Sequence, residues 1–274
     1  MSKLLSVVAL LTLSPLGMAG GITILLDNFL TPPDGHDGLT GRSSERNSLV
    51  PDSWTCDDVT IETPVVLQGV AWVGYRDAGV TYASAEVIIL REEIEDRGAF
   101  LLTQVALIEN LAPEFNDTLP AQFDLVTYRG VVAGLAVGLP PGHYYVGVRL
   151  VDSFLGRNYL ATTGGGTMGQ GGQTIGIFRS ASLGSPEWVF VDELMPATDF
   201  AVQLIGQFLL RGDMNCDGSV NVLDINGFVL ALMDPAGYVE QFRDCIIENG
   251  DANDDGQVNI LDINAFIQLI LGGG

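Results

Sequence analysis

Apolar and polar positions alternate with a period of two through most of this chain. "HYYVGVRLV" (143–151) places Tyr144, Val146, Val148 and Leu150 on one face and Tyr145 and Arg149 on the other, the pattern of a half-buried strand. "FAVQLIGQFLL" (200–210) predicts Val202, Leu204 and Phe208 inward, with Gln203 and Gln207 outward. "VVLQGVAWVGY" (65–75) is apolar at both parities, as in a strand covered on both faces. Further strands are expected at 60–61, 85–90, 100–108, 123–137, 174–178 and 188–191. Roughly eight strands at this spacing, with few helical signals, predict an antiparallel β-sandwich. Two stretches rich in Gly, Ser and Pro, 31–53 and 162–174, read as flexible surface loops, and "REEIEDR" (91–97) as a solvated strand end or turn.

After residue 210 the period changes. Ile225, Phe228, Val229 and Leu232 fall at i, i+3, i+4 and i+7, and Ile263, Phe266, Ile267 and Ile270 repeat the stripe, so two amphipathic helices are expected. Each follows a copy of one acidic sentence. "GDMNCDGSVNVLDIN" (212–226) and "GDANDDGQVNILDIN" (250–264) agree at eleven of fifteen positions. The expected organisation is a leader over 1–19, a β domain over 20–210 and a small helical domain over 211–274.

Composition narrows the functional classes. With 34 acidic and 12 basic residues the net charge is −22, which disfavours nucleic acid and anionic membranes as partners. Hydrophobic residues make up 47% of the chain and charged ones 17%, enough apolar content for a packed core. The opening "MSKLLSVVALLTLSPLGMAGG" combines Lys3, an apolar run from Leu4 to Leu13 and a small-x-small site at Gly17-Met18-Ala19, the parts of a secretory signal. The expectation is a secreted or cell-surface protein with no membrane span in the mature chain. Lys3 is the only lysine, so its removal leaves no amine for Schiff-base chemistry. His36 and His143 are far apart in sequence, and serine-hydrolase, phosphate-loop and zincin motifs are absent from the sequence. Of three cysteines, Cys216 and Cys245 bracket the first acidic copy and are the favoured bridge, leaving Cys56 odd; sequence spacing by itself leaves the pairing open.

The acidic sentence has the spacing of a calcium loop. Counting from the first Asp, positions 1, 3, 5, 7, 9 and 12 are Asp213, Asn215, Asp217, Ser219, Asn221 and Asp224, then Asp251, Asn253, Asp255, Gln257, Asn259 and Asp262. Calcium takes six to eight oxygen ligands at about 2.3–2.6 Å, which a tightly turning loop supplies from alternate positions. Gly218 and Gly256 fall at position 6, where a sharp turn is needed. Position 7 acts through its backbone carbonyl, so Ser219 and Gln257 need no special side chain, and position 9 often works through water. Position 12 closes the shell and is Asp here rather than the usual Glu. Two calcium ions are the expected cofactors.

On these motifs, 211–274 resembles a type I dockerin domain, the tandem loop–helix module of secreted bacterial polysaccharide-degrading systems. The resemblance implies two antiparallel halves with near-twofold symmetry, ordered by calcium, and a helix face that binds a cohesin on a scaffold or cell surface. It implies that Asp213, Asn215, Asp217, Asn221 and Asp224 bind one ion through their side chains, and Asp251, Asn253, Asp255, Asn259 and Asp262 the other. Small hydroxyl residues usual at positions 10 and 11 are replaced by Val222-Leu223 and Ile260-Leu261, so a partner contact here would be apolar, unless these residues pack inside the chain. The Pro/Thr-rich linker usual before such a module is also missing. Cys216 at position 4, with Cys245 downstream, suggests a disulfide-stapled variant.

"WTCDDVTIETPVVLQGVAWVGY", "LPPGHYYVGVRL" and "TDFAVQLIG" resemble, more loosely, jelly-roll-like β-sandwich domains of bacterial exported and surface proteins, a resemblance that implies no activity. The leading expectation is therefore a non-catalytic β-sandwich attached or assembled through its calcium module, with a cohesin-like or cell-surface protein as partner. The alternative is a carbohydrate-binding or glycoside-hydrolase component of an extracellular polysaccharide-degrading system. For carbohydrate binding the candidate aromatics are Trp54, Trp72, Trp188 and Tyr145. For hydrolysis the carboxylates are Asp57, Asp58, Glu92, Glu93 and Glu95, none of them marked over the others.

Overall fold

The computed structural model describes residues 23–27, 41–80, 82–93, 101–117, 125–151, 156–162, 176–191, 194, 200–242 and 245–272. The expected leader, His36, the first part of the 31–53 loop, the 94–97 charge run with Glu95, the segment 123–124 and nearly all of the 162–174 loop lie outside the described residues. Leu25–Gly206 forms one compact unit and Gln207–Gly274 belongs to a second.

The described part of the first unit is almost entirely strand, in two sheets. The strands are β1 (Thr23–Asp27), β2 (Gly41–Ser43), β3 (Glu45–Arg46), β4 (Trp54–Ile61), β5 (Val65–Arg76), β6 (Ser84–Glu92) and β7 (Leu102–Leu111). They continue with β8 (Glu114–Asn116), β9 (Val126–Leu139), β10 (Gly142–Val151), β11 (Asn158–Ala161), β12 (Ile177–Ser180), β13 (Ser185–Phe190) and β14 (Val202–Phe208). One sheet runs β1-β14-β5-β11-β2, with β9 pairing β5 and β8; the other runs β13-β12-β4-β10-β6-β7, with β3 pairing β10 in parallel. Every other pairing with a described register is antiparallel.

Period-two patterning explains the core. Tyr144, Val146, Val148 and Leu150 of β10 join Val87 and Ile89 of β6 and Leu67, Val70 and Trp72 of β5 in one apolar cluster fed by both sheets. The opposite parity of the second sheet builds a separate cluster from Trp54, Cys56, Ile88, Leu90, Tyr145, Ile177 and Phe190. Both faces of that sheet are thus largely covered, which lets Arg149 and Tyr145 be buried although alternation places them away from the main core.

Two expectations are corrected. In β14, Val202 and Leu204 are buried as the alternation demands, but Phe208 is exposed, and Gln203 and Gln207 are buried. The described part of the 31–53 loop is not loose surface: it contributes β2 and β3, and Ser43, Ser44, Glu45, Asn47 and Ser53 are buried. These polar groups satisfy one another. Glu45 Oε1 accepts from Ser43 Oγ at 3.0 Å, while Oε2 accepts from Asn47 Nδ2 at 2.9 Å and from the Asn158 N–H at 3.1 Å. Asn158 Nδ2 donates to the Ser44 carbonyl at 2.6 Å and its Oδ1 accepts from the Tyr128 hydroxyl, which in turn accepts from Trp72 Nε1 at 2.9 Å. A polar stretch can therefore be interior when its hydrogen bonds close on themselves.

The second unit contains three short helices, α1 (Ile225–Met233), α2 (Pro235–Gln241) and α3 (Ile263–Gly272). Its core is Met214, Phe228, Ala231, Tyr238, Cys245 and Phe266. Phe228 and Phe266 stack with ring centroids 3.9 Å apart. No helix among the described residues is long and apolar enough to cross a membrane.

Candidate metal centre

The two acidic loops share the same turn. Position 4 has positive φ in both, 54° at Cys216 and 63° at Asp254, and so does position 6, 85° at Gly218 and 83° at Gly256. Glycine takes that conformation without a Cβ penalty, which accounts for its place in the turn.

Their hydrogen bonds match as well. Asp213 Oδ1 and Oδ2 accept from the N–H groups of Asp217 (3.2 Å) and Gly218 (2.9 Å); Asp251 accepts from Asp255 (3.0 Å) and Gly256 (2.9 Å). Asn215 Oδ1 accepts from the Asp217 N–H, and Asn253 Oδ1 from that of Asp255. Asp217 Oδ1 and Asp255 Oδ1 accept from the N–H groups of Ser219 and Gln257. Position 12 ties each loop together. Asp224 Oδ1 accepts from Met214 (2.8 Å) and Asn215 (3.1 Å) and its Oδ2 from Asn221 (2.8 Å). Asp262 repeats two of these three, with Asn253 (3.1 Å) and Asn259 (2.8 Å), while the Ala252 N–H donates to the Gly250 carbonyl instead. Asn221 and Asn259 cap the turns that open the helices by accepting from Leu223 and Leu261, each at 2.8 Å.

Charge and burial decide what such loops can do. Asp224 and Asp262 are fully buried and Asp213 nearly so. Burial, reinforced by the neighbouring carboxylates Asp224 and Asp217, raises the pKa of Asp213 even though the N–H groups of Gly218 and Asp217 oppose it. In the second loop one cation is present: Arg211 pairs with Asp254, at position 4. Among the described residues no group of three or more His, Cys, Asp or Glu side chains is drawn together tightly enough to form a metal cluster. The donor chemistry nonetheless fits a hard cation: each loop brings three carboxylates and two amide oxygens to one turn, and Arg211 is the one basic group with an ion pair to either loop among the described residues.

The other site candidates fall as follows. Cys216 and Cys245 are joined by a disulfide with Cα atoms 5.5 Å apart, and Cys56 is a buried free thiol. Val222, Leu223, Ile260 and Leu261 are all well exposed. The helical stripes are corrected: Phe228 and Phe266 point into the core, whereas Ile225, Val229, Ile263 and Ile267 are exposed. Met233 and Leu271 are exposed too, at 82% and 75%, so five matched pairs of apolar side chains face outward in the two copies. The signal for this was in the duplication itself, since the paired positions stay apolar in both copies. Trp72 lies in the main core, Trp54 and Tyr145 are buried in the second cluster, and Trp188 is half-buried. Asp58 and Glu92 reach the same histidine, His143 Nε2, at 3.8 and 3.5 Å, while Asp57 is on the opposite strand face and accepts from the Phe200 N–H. Comparison with family models, curated proteins and solved structures found no match to this chain.

Proposed function

We propose that residues 211–274 form a dockerin-like module organised by two calcium ions, which attaches an exported, non-catalytic β-sandwich to a cohesin-type or cell-surface protein. The carrying observation is the duplicated loop: both copies repeat the same positive-φ turn, and their hydrogen-bond networks match around a buried position-12 carboxylate. In this reading Asp213, Asn215, Asp217, the Ser219 carbonyl, Asn221 and Asp224 hold one ion, and Asp251, Asn253, Asp255, the Gln257 carbonyl, Asn259 and Asp262 the other. Calcium supplies positive charge there. Removing it leaves six Asp carboxylates in mutual repulsion, and chelation unfolds the module.

The attachment surface is the exposed apolar set Val222, Leu223, Ile225, Val229 and Met233, with Ile260, Leu261, Ile263, Ile267 and Leu271. Large exposed apolar patches mark interaction sites, and the same five positions are apolar and exposed in both copies. The test is sedimentation of the full chain with envelope fractions of the producing cells. Calcium-dependent binding that EDTA reverses and that Leu223→Glu with Leu261→Glu removes supports attachment. Equal sedimentation in calcium and EDTA contradicts it.

A further inference from the structure

We infer that the outer face of the second sheet carries a binding site for a carboxylate-bearing sugar, with Arg179 holding the carboxylate and Trp188 the ring. The inference concerns the sandwich by itself and is independent of the calcium reading.

Two register pairs and two guanidinium–ring contacts link side chains of five strands there. Arg179 of β12 pairs with Trp54 of β4, and Arg149 of β10 pairs with Glu86 of β6. The Arg149 guanidinium lies 4.0 Å over the Trp54 ring, and that of Arg179 lies 5.2 Å from the Trp188 ring of β13. The linked side chains are therefore Trp188, Arg179, Trp54, Arg149 and Glu86, with aromatic and guanidinium groups in alternation. Over them opens a cleft of about 470 Å³, whose lining includes Leu102, Gln104 and Asp52 with both arginines and Trp188. That volume is within the usual range for small-ligand sites, about 300–1,000 Å³.

The two arginines differ in their partners. Arg149 is committed: its Nε and Nη2 both donate to the buried Glu86 carboxylate at 2.7 Å, and Arg46 pairs with the same group. Arg179 has no carboxylate partner among the described residues, and its guanidinium rests against the Trp188 ring. Asp52, the one acid among the described residues lining the cleft, accepts from the Ser180 and Ser182 hydroxyls and the Ala181 N–H. Burial, with the positive charges of Arg46 and Arg179 adding to it, lowers the pKa of Arg149 against the opposing pull of Glu86. The described lining thus carries two guanidinium groups against one carboxylate, in a chain of net charge −22.

That contrast selects the ligand. The protein's overall field repels a long polyanion, but a short-range fork holds one planar carboxylate well. A half-buried indole beside the fork offers a face to an apolar sugar ring, and Gln104 offers a donor and an acceptor to its hydroxyls. A neutral sugar would desolvate Arg179 without pairing it, which costs affinity. The chemistry is that of a uronic acid residue at the end of, or within, a short oligosaccharide.

The test titrates trigalacturonate, its methyl ester and a neutral trisaccharide into the full chain at fixed calcium, read by calorimetry and tryptophan fluorescence. The acid is expected to bind with a change in Trp emission, and the ester at least about tenfold more weakly. Arg179→Gln is expected to lose about tenfold or more, with Arg179→Lys between it and the wild type and Trp188→Ala also weakened. Near-UV circular dichroism reports folding, and if Arg179→Gln is perturbed, Arg179→Lys and the ester carry the comparison. Equal binding of acid and ester, wild-type affinity in Arg179→Gln, or no binding of the acid overturns the inference. Equal competition by an acidic peptide overturns it in favour of a protein ligand.

Discussion

Phe228 and Phe266, thirty-eight residues apart, stack face to face with centroids 3.9 Å apart and planes 10° from parallel. They hold the same place in the two copies of the repeat, so the duplicated sentence produces a core contact between equivalent residues. The loops on either side carry the acids, and the apolar ridges are what remains of each helix once its phenylalanine is spent on the core.

Position 12 does two jobs in the first loop, and its replacement should show both. Asp224→Ala removes a proposed ligand and strips the acceptor from three backbone N–H groups. The expected loss in calcium is about 3 kcal/mol or more of module stability, larger than for the exposed Asp217→Ala. Urea midpoints of the two variants check this ranking; equal losses would remove the locking role given to Asp224.

Glu45 sets a pH dependence in the sandwich. Burial raises its pKa, opposed by the Ser43 hydroxyl, the Asn158 N–H and Asn47, with Asp77 adding to the rise. The folded state therefore binds the Glu45 proton more tightly than the unfolded chain, and this contribution to stability falls as pH rises from the ordinary glutamate value through the raised one. Glu45→Gln keeps an acceptor for Asn47 and Asn158 while removing the charge. It is expected to be at least as stable as the wild type at neutral pH, with a flatter stability–pH curve in that range. A marked loss at neutral pH would mean that the ionised carboxylate is stabilising.

Legibility in the sequence followed how each residue is satisfied. The 143–151 strand was readable because its apolar parity fills the core and its alternation is regular. Glu45 and its neighbours were not, because a buried polar hub and a solvated loop have the same composition. Gln203 and Gln207 misled for the same reason: a long amide can be interior. Ile225 and Val229 misled in the opposite direction. In a nine-residue helix that is apolar on most sides, the hydrophobic stripe does not say which side meets the core. In the acidic loops the turn was legible, since the glycine at position 6 of each copy takes a positive φ.

The thiols make a count. Cys216 and Cys245 are bridged, and burial with the Asp57 charge pushes the Cys56 thiol pKa well up, against Arg179 and Arg149. The native chain should give no reaction with a thiol reagent, and the denatured, unreduced chain one thiol. Reducing the bridge is expected to cost the module about 2–4 kcal/mol. A thiol titrating in the native state would place Cys56 within reach of solvent.

Gly130 is fixed by packing. A Cβ there would lie 2.3 Å from Cζ2 of the buried Trp72 ring. Gly130→Ala should therefore destabilise the sandwich by about 1–3 kcal/mol through overpacking, with a change in the Trp near-UV signal. Gly138→Ala on the same strand meets no atom within 4 Å and serves as the control. A neutral Gly130→Ala would show that the core gives way more easily than its close packing implies.

The proposal that two calcium ions order the duplicated loops is put to the test by calcium titration calorimetry on the stripped full chain. The expected result is two ions per chain, with Asp213→Asn plus Asp217→Asn removing one and Asp251→Asn plus Asp255→Asn removing the other. No binding up to about 10 mM calcium, well above the range used by extracellular modules, would contradict it. So would a stoichiometry that none of these four substitutions changes.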